Sequence, residues 1–203
     1  MPAEPNVSLA DEHAAGGAVL LIVDMISDWQ FPDADKLLPA ALAVAVPIAA
    51  LKARCRAAGV PTIYANDNRG RWRSDLRDVV ETSLAAGGDG ARITQALKPD
   101  RDDYFVLKPK HSAFFLTPLE LLLQHLKARR LILTGVASDQ CIATTAVDAR
   151  MRDYEVIAPR DCIGTQTRER DVRMLAHFDE ALRVPTPASA EIDLPHAQRQ
   201  HDQ

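Results

Sequence analysis

The 203-residue chain is poor in cysteine, and it lacks the usual features of secreted and membrane-anchored proteins. Its three cysteines, Cys55, Cys141 and Cys162, are odd in number and widely spaced. This pattern is neither a disulfide framework nor a zinc site, and it indicates a reducing environment. The first residues carry no basic segment and no signal-type apolar core, and no apolar run looks long enough to cross a bilayer. We therefore expect a cytoplasmic protein without a membrane partner.

An excess of charge of one sign is also absent. The formal net charge is −4 at pH 7, which argues against nucleic acid or an anionic membrane surface as the main partner. The hydrophobic fraction of 47% is that of an ordinary globular chain. Because this length is sufficient to bury a core, a single domain is the simplest expectation.

Glycine is missing from the place where a nucleotide-binding α/β protein needs it. The first apolar run ends at Asp24, and the next residues, from Met25 to Gln30, contain no glycine. The pair Gly87 and Gly88 does not follow a strand-like segment. A dinucleotide site needs a glycine-rich turn directly after the first strand. The sequence therefore excludes that function, and we expect no cofactor.

Apolar, strand-like runs alternate with helical segments along most of the chain. This order predicts an α/β fold, a doubly wound, six-stranded, mostly parallel sheet with helices on both faces. The predicted strands are residues 18–24, 61–65, 104–107, 131–133, 155–158 and 182–184, and the predicted helices include residues 39–58, 117–129 and 139–151. We predict a flexible arm over residues 1–16, one domain over 17–185 and a frayed polar tail over 186–203.

Three of the predicted strands lead to side chains that can carry out chemistry. The first strand leads to the carboxylate of Asp24, the third to the amine of Lys108, and Cys141 follows shortly after the fourth. Because ligands bind outside the carboxyl ends of parallel strands, we expect these groups to lie at one edge of the sheet. An aspartate at a strand end is often only a cap. Together, however, the three groups describe a cysteine nucleophile with a carboxylate to take its proton.

Cys141 has a second feature of a reactive thiol. Ser138 is a good N-cap for a helix over residues 139–151, which places Cys141 in the first turn. Free backbone N–H groups and the positive end of the helix dipole favour an anion there. We therefore expect this thiol to ionise more easily than a free one. The alternative is a buried cysteine that acts as a small hydrophobic residue.

Three segments of the chain, in order and at similar spacing, resemble the motifs of the isochorismatase-like cysteine hydrolases. This family includes nicotinamidases, N-carbamoylsarcosine amidases and isochorismatases. Its Asp-Met-Gln-Asn-Asp-Phe motif is similar to residues 24–29, with Ile26 in the glutamine position. Its Lys-Pro-Arg-Tyr-Ser-Ala-Phe motif is similar to residues 108–114. Its third motif, Thr-Gly-Val-x-Thr-Asp-x-Cys-Val-x-x-Thr-x-x-Asp-Ala, is similar to residues 134–149.

The resemblance implies hydrolysis of an amide-type C–N bond through a thioester. In that mechanism Asp24 accepts the thiol proton, Cys141 attacks the substrate carbonyl, and Lys108 stabilises the thiolate and orients the carboxylate. The backbone N–H groups of Ala137 and Cys141 would form the oxyanion hole. In this family a cis peptide bond orients these backbone N–H groups toward the substrate. The resemblance places that bond between Val136 and Ala137 in this chain.

The resemblance leaves the substrate open and argues against a metal. Nicotinamidases follow the second strand with an Asp-x-His metal site, whereas residues 66–69 keep Asp67 but contain no histidine. His111, His125 and His177 are expected to lie elsewhere. We expect no metal and a small-molecule substrate. The candidate substrate-binding residues are Trp29, Phe31, Asn66, Arg69 and Trp72, each of which has packing or solvation as its alternative role.

Three other functions stay open at this point. An isochorismatase proper would cleave a vinyl ether with Asp24 as the acid and would not need the thiol. A non-catalytic member would serve as a binding subunit, although the intact set of three groups argues against this. A redox-sensing thiol would use Cys162 as a resolving partner for Cys141. We also expect a homodimer or higher homo-oligomer, because the resemblance implies one and the helix over residues 39–58 has apolar residues on more than one face.

Overall fold

A parallel sheet forms the centre of the computed structural model, which describes residues 15–68, 70 and 75–195. Within these residues the sheet is six-stranded, with the order β3-β2-β1-β4-β5 and with β6 also paired to β4. All of its pairings are parallel. The strands are β1 (Ala18–Val23), β2 (Thr62–Asp67), β3 (Tyr104–Lys108), β4 (Arg130–Val136), β5 (Glu155–Ile157) and β6 (Ile163–Gly164). The predicted doubly wound α/β fold is confirmed.

Helices cover both faces of this sheet. They are α1 (Ala34–Ala57), α2 (Leu76–Ala86), α3 (Gly88–Ala96), α4 (Leu119–His125), α5 (Ala143–Arg150) and α6 (Arg168–Glu180). The buried residues of α1 and α3 share one core layer, and those of α4, α5 and α6 share the other. All six residues of β1 are buried, and they alternate between the two layers. This explains why β1 is uniformly apolar, since both of its faces need apolar side chains.

Helix α1 differs from the prediction in its start and in its apolar length. It begins at Ala34, not at the predicted Pro39, and it contains both Pro39 and Pro47. By length and composition it could cross a membrane, so the expectation that no segment is long enough is wrong for this helix. Its residues Ala41, Ile48 and others pack into the core layer on the sheet. That is the behaviour of the core helix of a globular domain, and packing of this kind outweighs the hydrogen bonds that proline removes.

One short element also differs from the prediction. The sixth strand is Ile163–Gly164, which pairs with Gly135 and Val136 of β4, and the predicted strand at residues 182–184 is wrong. Residues 182–184 instead follow α6, with the backbone N–H of Val184 donating to the carbonyl of Phe178. The glycine-rich segment after α2 forms the start of α3, with Gly87 as the N-cap and Gly88 as the first helical residue.

The described part of the C-terminal segment packs against the domain. The prediction that this segment is frayed is wrong for residues 186–195. The guanidinium of Arg54 in α1 donates to the carbonyls of Ser189 and Ile192. Asp161 accepts hydrogen bonds from the backbone and hydroxyl of Ser189, and Ile192 is buried. Near the other terminus, the carbonyl of Gly17 accepts from the backbone of Arg129. The rest of the predicted arm and tail, residues 1–14 and 196–203, lies outside the described residues.

Gly135 allows β4 to approach β1 closely beside the candidate site. Its φ is +111°, and a Cβ at this position would lie 2.0 Å from the carbonyl oxygen of Val23. We predict that Gly135→Ala lowers the free energy of unfolding by about 3 kcal/mol or more, because it combines an overpacked core with an unfavourable backbone angle. Denaturant unfolding monitored by circular dichroism measures this loss.

Gly88→Ala is the matched control for Gly135→Ala. Gly88 also has a positive φ, but a Cβ there would meet no atom within 4 Å. Its loss of stability should reflect the backbone angle alone, about 1 kcal/mol. Equal losses for the two variants would contradict the account of a close approach between β1 and β4.

Candidate active site

Asp24, Lys108 and Cys141 lie together at the carboxyl edge of the sheet. Asp24 directly follows β1, Lys108 is the last residue of β3, and Cys141 lies in a π-helical turn, Ser138–Ile142, after β4. The Nζ atom of Lys108 is 2.7 Å from Oδ2 of Asp24 and 3.5 Å from Sγ of Cys141. The structure therefore brings the three sequence-predicted groups into direct contact.

The amine of Lys108 is the buried centre of this cluster. Its side chain is 0% exposed, and Nζ also donates to the carbonyl of Lys110 at 3.3 Å. Burial alone would lower the pKa of Lys108, but the negative charge of Asp24 and its hydrogen bond to the amine, with a further contribution from Cys141, outweigh burial and raise it. The amine is therefore held as an ammonium ion between a carboxylate and a sulfur.

The carboxylate of Asp24 is held at both oxygens. Oδ1 accepts a hydrogen bond from the backbone N–H of Asp67 at 2.7 Å, and Oδ2 faces Lys108. The backbone of Asp24 has a positive φ of 55°, a conformation that aspartate tolerates better than most residues. The side chain is 17% exposed. Asp24 therefore has a fixed orientation with limited access to solvent.

The turn that carries Cys141 differs in detail from the predicted helix start. The predicted first-turn placement of Cys141 is correct, but the helical segment is a π turn followed by α5, and Ala137, not Ser138, is its N-cap residue. The predicted cap is therefore wrong. The hydroxyl of Ser138 instead donates to Asp171 at 3.3 Å.

Asp139 anchors this turn to the rest of the domain. Its carboxylate accepts from the hydroxyl of Thr165 at 2.6 Å and from the guanidinium of Arg170 at 2.5 and 2.6 Å. These contacts cross from the turn to α6 and to the segment before it. Sequence reasoning missed Thr165 and Arg170, and the only available signal was the Asp139 position within the third motif.

The thiol of Cys141 does not ionise easily in the resting site, contrary to the prediction. Burial and the nearby charge of Asp24 together raise its pKa to about 12, against the opposing effect of Lys108. The expected effect of the helix terminus is outweighed, because the thiol lies against a carboxylate in a poorly solvated place. A base must therefore take the thiol proton during the attack on a substrate.

The peptide bond between Val136 and Ala137 is cis, the geometry that the family resemblance implies. Ala137 and Cys141 both line the same cleft, as candidate oxyanion donors must. The carbonyl of Ala137 accepts the backbone N–H groups of Gln140 and Ile142, which ties the turn to the end of β4.

A cleft of about 370 Å³ opens over these groups. Its apolar lining includes the candidate residues Trp29 and Phe31, whose ring centroids are 5.9 Å apart. Trp29 packs on α3 at Gly90, where a Cβ would lie 2.4 Å from the indole Cδ1. A cleft of this size suits a small molecule with an apolar body.

Asn66, another candidate substrate contact, is not part of this lining. Asn66 is 2% exposed, and its amide donates to the carbonyl of Ile26 at 2.6 Å. Among the described residues Asn66 does not line the cleft, so the prediction of a substrate contact is wrong and the residue instead holds β2 to the loop after β1. Arg69 and Trp72 lie outside the described residues.

His111 lies at the cleft, a position that the sequence did not predict for it. Its Nδ1 atom is 3.6 Å from Sγ of Cys141, and the residue is exposed. The segment around it is irregular, and no sequence period predicts its position. The only signal was its place in the second motif, three residues after Lys108.

Cys162 does not have the position of a resolving thiol. It is fully buried in the core layer that contains α1, whereas Cys141 borders the opposite layer. Burial raises the pKa of Cys162 to about 12. The structure therefore argues against the redox-sensing alternative.

Other surface features of the described chain do not compete with this site. A groove of about 690 Å³ lies where α2 faces Phe105 of β3. This groove is larger than the cleft at Cys141. Its described lining residues include charged side chains but no cysteine, serine, threonine or histidine. The candidate site is therefore identified by its reactive side chains and not by its volume. No group of three or more metal-ligating side chains occurs within residues 15–68, 70 and 75–195.

Comparison with known proteins gives one consistent family. Residues 18–189 match the Isochorismatase domain. The chain is 36% identical over 163 residues to the uncharacterized isochorismatase family protein YaaI of Bacillus subtilis, covering 80% of this chain and 89% of that protein. It is 28% identical over 156 residues to maleamate amidohydrolase of Pseudomonas putida, covering 71% of each. The crystal structure of a cysteine hydrolase from Pseudomonas syringae superposes with a TM-score of 0.69 at 25% identity, covering 86% of this chain and 90% of that one.

Proposed function

The chain belongs to the isochorismatase family of hydrolases, and on this basis we propose that it hydrolyses a small-molecule amide-type C–N bond through a thioester on Cys141. The observation that carries the proposal is the contact of one buried ammonium, Lys108, with both a carboxylate and a thiol. Its Nζ is 2.7 Å from Asp24 and 3.5 Å from Cys141. The names of the amidohydrolase and cysteine hydrolase relatives support the same reaction class.

In the first half of the reaction Asp24 acts as the base. Because the thiol has a raised pKa, it loses its proton to Asp24 only as Sγ attacks the substrate carbonyl. Lys108 stabilises the negative charge on sulfur, and the backbone N–H groups of Ala137 and Cys141 stabilise the charge on the carbonyl oxygen. Asp24 then returns the proton to the departing nitrogen, the C–N bond breaks, and a thioester remains.

In the second half water hydrolyses the thioester. The same backbone donors stabilise the second tetrahedral intermediate, and Lys108 stabilises the thiolate as it leaves. One such donor contributes about 3 kcal/mol in well-studied hydrolases. Trp29 and Phe31, which line the cleft, would cover the apolar part of the substrate, and Arg69 and Trp72 remain proposed contacts from sequence alone.

A substrate panel tests the reaction class. It contains primary amides, ureides and nitriles, with isochorismate included because a vinyl ether hydrolase is the alternative that the family leaves open. Amide or ureide turnover that depends on Cys141 is the expected result. Turnover of isochorismate alone, unchanged in Cys141→Ala, would assign the chain to acid catalysis by Asp24 instead.

We predict that catalysis needs no metal ion. Asp67 is followed by Asn68 and Arg69, and amide and guanidinium groups are poor ligands for transition metals. The proposed steps draw positive charge from Lys108 and from backbone donors. Extended dialysis against EDTA should leave kcat/KM on the best substrate unchanged, and nicotinamide should be a poor substrate. Activity that is lost with EDTA and restored by stoichiometric zinc or iron would contradict this prediction.

We also propose that the protein is a homo-oligomer. Several apolar side chains in and near α4 and α5 are strongly exposed, including Leu116 at 81%, Leu121 at 70% and Met151 at 68%. Helices α4 and α5 cover the same face of the sheet, and apolar side chains exposed on one face favour an interface. Light scattering at micromolar concentration should give at least the mass of a dimer, and a monomer would contradict the proposal.

A further inference from the structure

The imidazole of His111 contacts the candidate nucleophile from the solvent side. Its Nδ1 is 3.6 Å from Sγ of Cys141, and the residue is exposed and lines the cleft. Lys108 contacts the same sulfur at 3.5 Å but is completely buried. The sulfur therefore has an ammonium on its protein side and an imidazole on its open side.

Hydrogen bonds hold His111 in this position. The hydroxyl of the next residue, Ser112, bonds to the carboxylate of Asp148, and the backbone N–H of Ala113 donates to the hydroxyl of Thr145 at 3.0 Å. Asp148 and Thr145 both belong to α5, which continues the turn that carries Cys141. The backbone next to His111 is thus tied to the helix that continues the turn of Cys141.

Asp24 and His111 approach the sulfur from different sides. Asp24 contacts Lys108 and the backbone of Asp67 and is 17% exposed, whereas His111 is exposed and lines the open cleft. Water reaches a thioester on Cys141 through the open cleft, where His111 lies. A base must be within hydrogen-bonding reach of the proton that it takes, and the exposed imidazole meets that requirement from the solvent side.

We propose that His111 is a catalytic residue that activates the water in thioester hydrolysis. The inference rests on the proposed function, since it requires the thioester. The water oxygen bonds to the acyl carbon while one water proton passes to Nδ1 of the neutral imidazole. The C–S bond then breaks with its electron pair on Sγ, and the thiolate, stabilised by Lys108, takes the proton from Nδ1. The products are a carboxylic acid, the free thiol and the neutral imidazole.

This role is not implied by the family resemblance. The similar family motif, Lys-Pro-Arg-Tyr-Ser-Ala-Phe, has tyrosine at the position of His111, and a phenol is a poor base near neutral pH. His111→Tyr restores the family pattern, and His111→Gln keeps a polar side chain without a base. Both variants should slow the second half-reaction and leave the first unchanged.

Stopped-flow hydrolysis of p-nitrophenyl acetate separates the two half-reactions. Acylation of Cys141 releases a burst of p-nitrophenolate, a leaving group that needs no proton. Hydrolysis of the thioester then sets the steady rate. We expect His111→Gln to keep the burst rate and amplitude while its steady rate falls about 100-fold, within the usual range for loss of a general base. Intact mass should then show an acetyl group on Cys141.

Hydroxylamine, which attacks thioesters without a base, should restore turnover in His111→Gln. His177→Gln, in α6, is the control variant and should behave as wild type.

The outcomes distinguish this inference from the proposed function. A burst that slows in parallel with the steady rate, an unchanged steady rate in His111→Gln, or no rescue by hydroxylamine would overturn the role of His111 alone. A burst, or steady turnover of the ester, that persists unchanged in Cys141→Ala would contradict the thioester itself and with it both proposals.

Discussion

Cys141→Ala is expected to abolish amide hydrolysis while the protein stays folded. The sulfur is the atom that forms the thioester, so its loss should lower kcat by about four orders of magnitude or more. The residue is only partly buried, and alanine fits the same helical turn, so the loss of stability should be small. Turnover of the best substrate of the panel, measured beside thermal unfolding by circular dichroism, tests both parts.

Cys162→Ala is the matched control for this variant. Cys162 is fully buried in the opposite core layer, so its truncation should lower stability by about 1 kcal/mol and leave kcat per folded molecule unchanged. Full activity in Cys141→Ala would remove the thiol from the mechanism. Equal loss of activity in both variants would show that the effect comes from the fold and not from the nucleophile.

The pair Asp24 and Lys108 should behave as one unit in a double-mutant cycle. Asp24→Asn and Lys108→Met are each expected to lower kcat by about three orders of magnitude, and the double variant should be little worse than either one. Each single variant leaves one partner of a poorly solvated ion pair without its counter-charge, which costs about 3 kcal/mol of stability, and the double variant removes that cost. Steady-state kinetics and denaturant unfolding on all four proteins measure the two couplings.

Lys52 provides a control ion pair away from the cleft. Its Nζ is 2.6 Å from Asp103, and the two side chains are 9% and 6% exposed. Lys52→Met should therefore lower stability but leave kcat per folded molecule unchanged. Activity losses in Asp24→Asn and Lys108→Met that simply add would be inconsistent with a carboxylate and an ammonium acting together on one thiol.

The sheet and the three contacting groups could be predicted from the sequence because their signals are local. The apolar run that forms β1 is long enough to recognise, and Asp24 follows it directly. Parallel strands present their carboxyl ends at one edge, so the meeting of Asp24, Lys108 and Cys141 follows from the order of elements. The two-residue strand β6 could not be predicted, since two residues carry no periodicity.

Other features depend on tertiary contacts that no local pattern encodes. The position of His111 is set by hydrogen bonds from the neighbouring Ser112 and Ala113 to α5, across more than thirty residues of sequence. The raised pKa of Cys141 results from burial beside Asp24, which outweighs the helix terminus that the sequence suggested. Asn66 looked like a cleft residue because it follows the second predicted strand, but its side chain turns to the carbonyl of Ile26.

Peptide mapping of the enzyme trapped during turnover tests directly whether Cys141 carries the acyl intermediate. The wild-type protein is mixed with the slowest amide or ureide that the panel shows to be a substrate, quenched in acid during turnover and digested. We expect the acyl part of the substrate on the peptide that contains Cys141, and we expect it to disappear as the substrate is exhausted. Sustained hydrolysis with no acyl group on that peptide, together with full activity in Cys141→Ala, would contradict it.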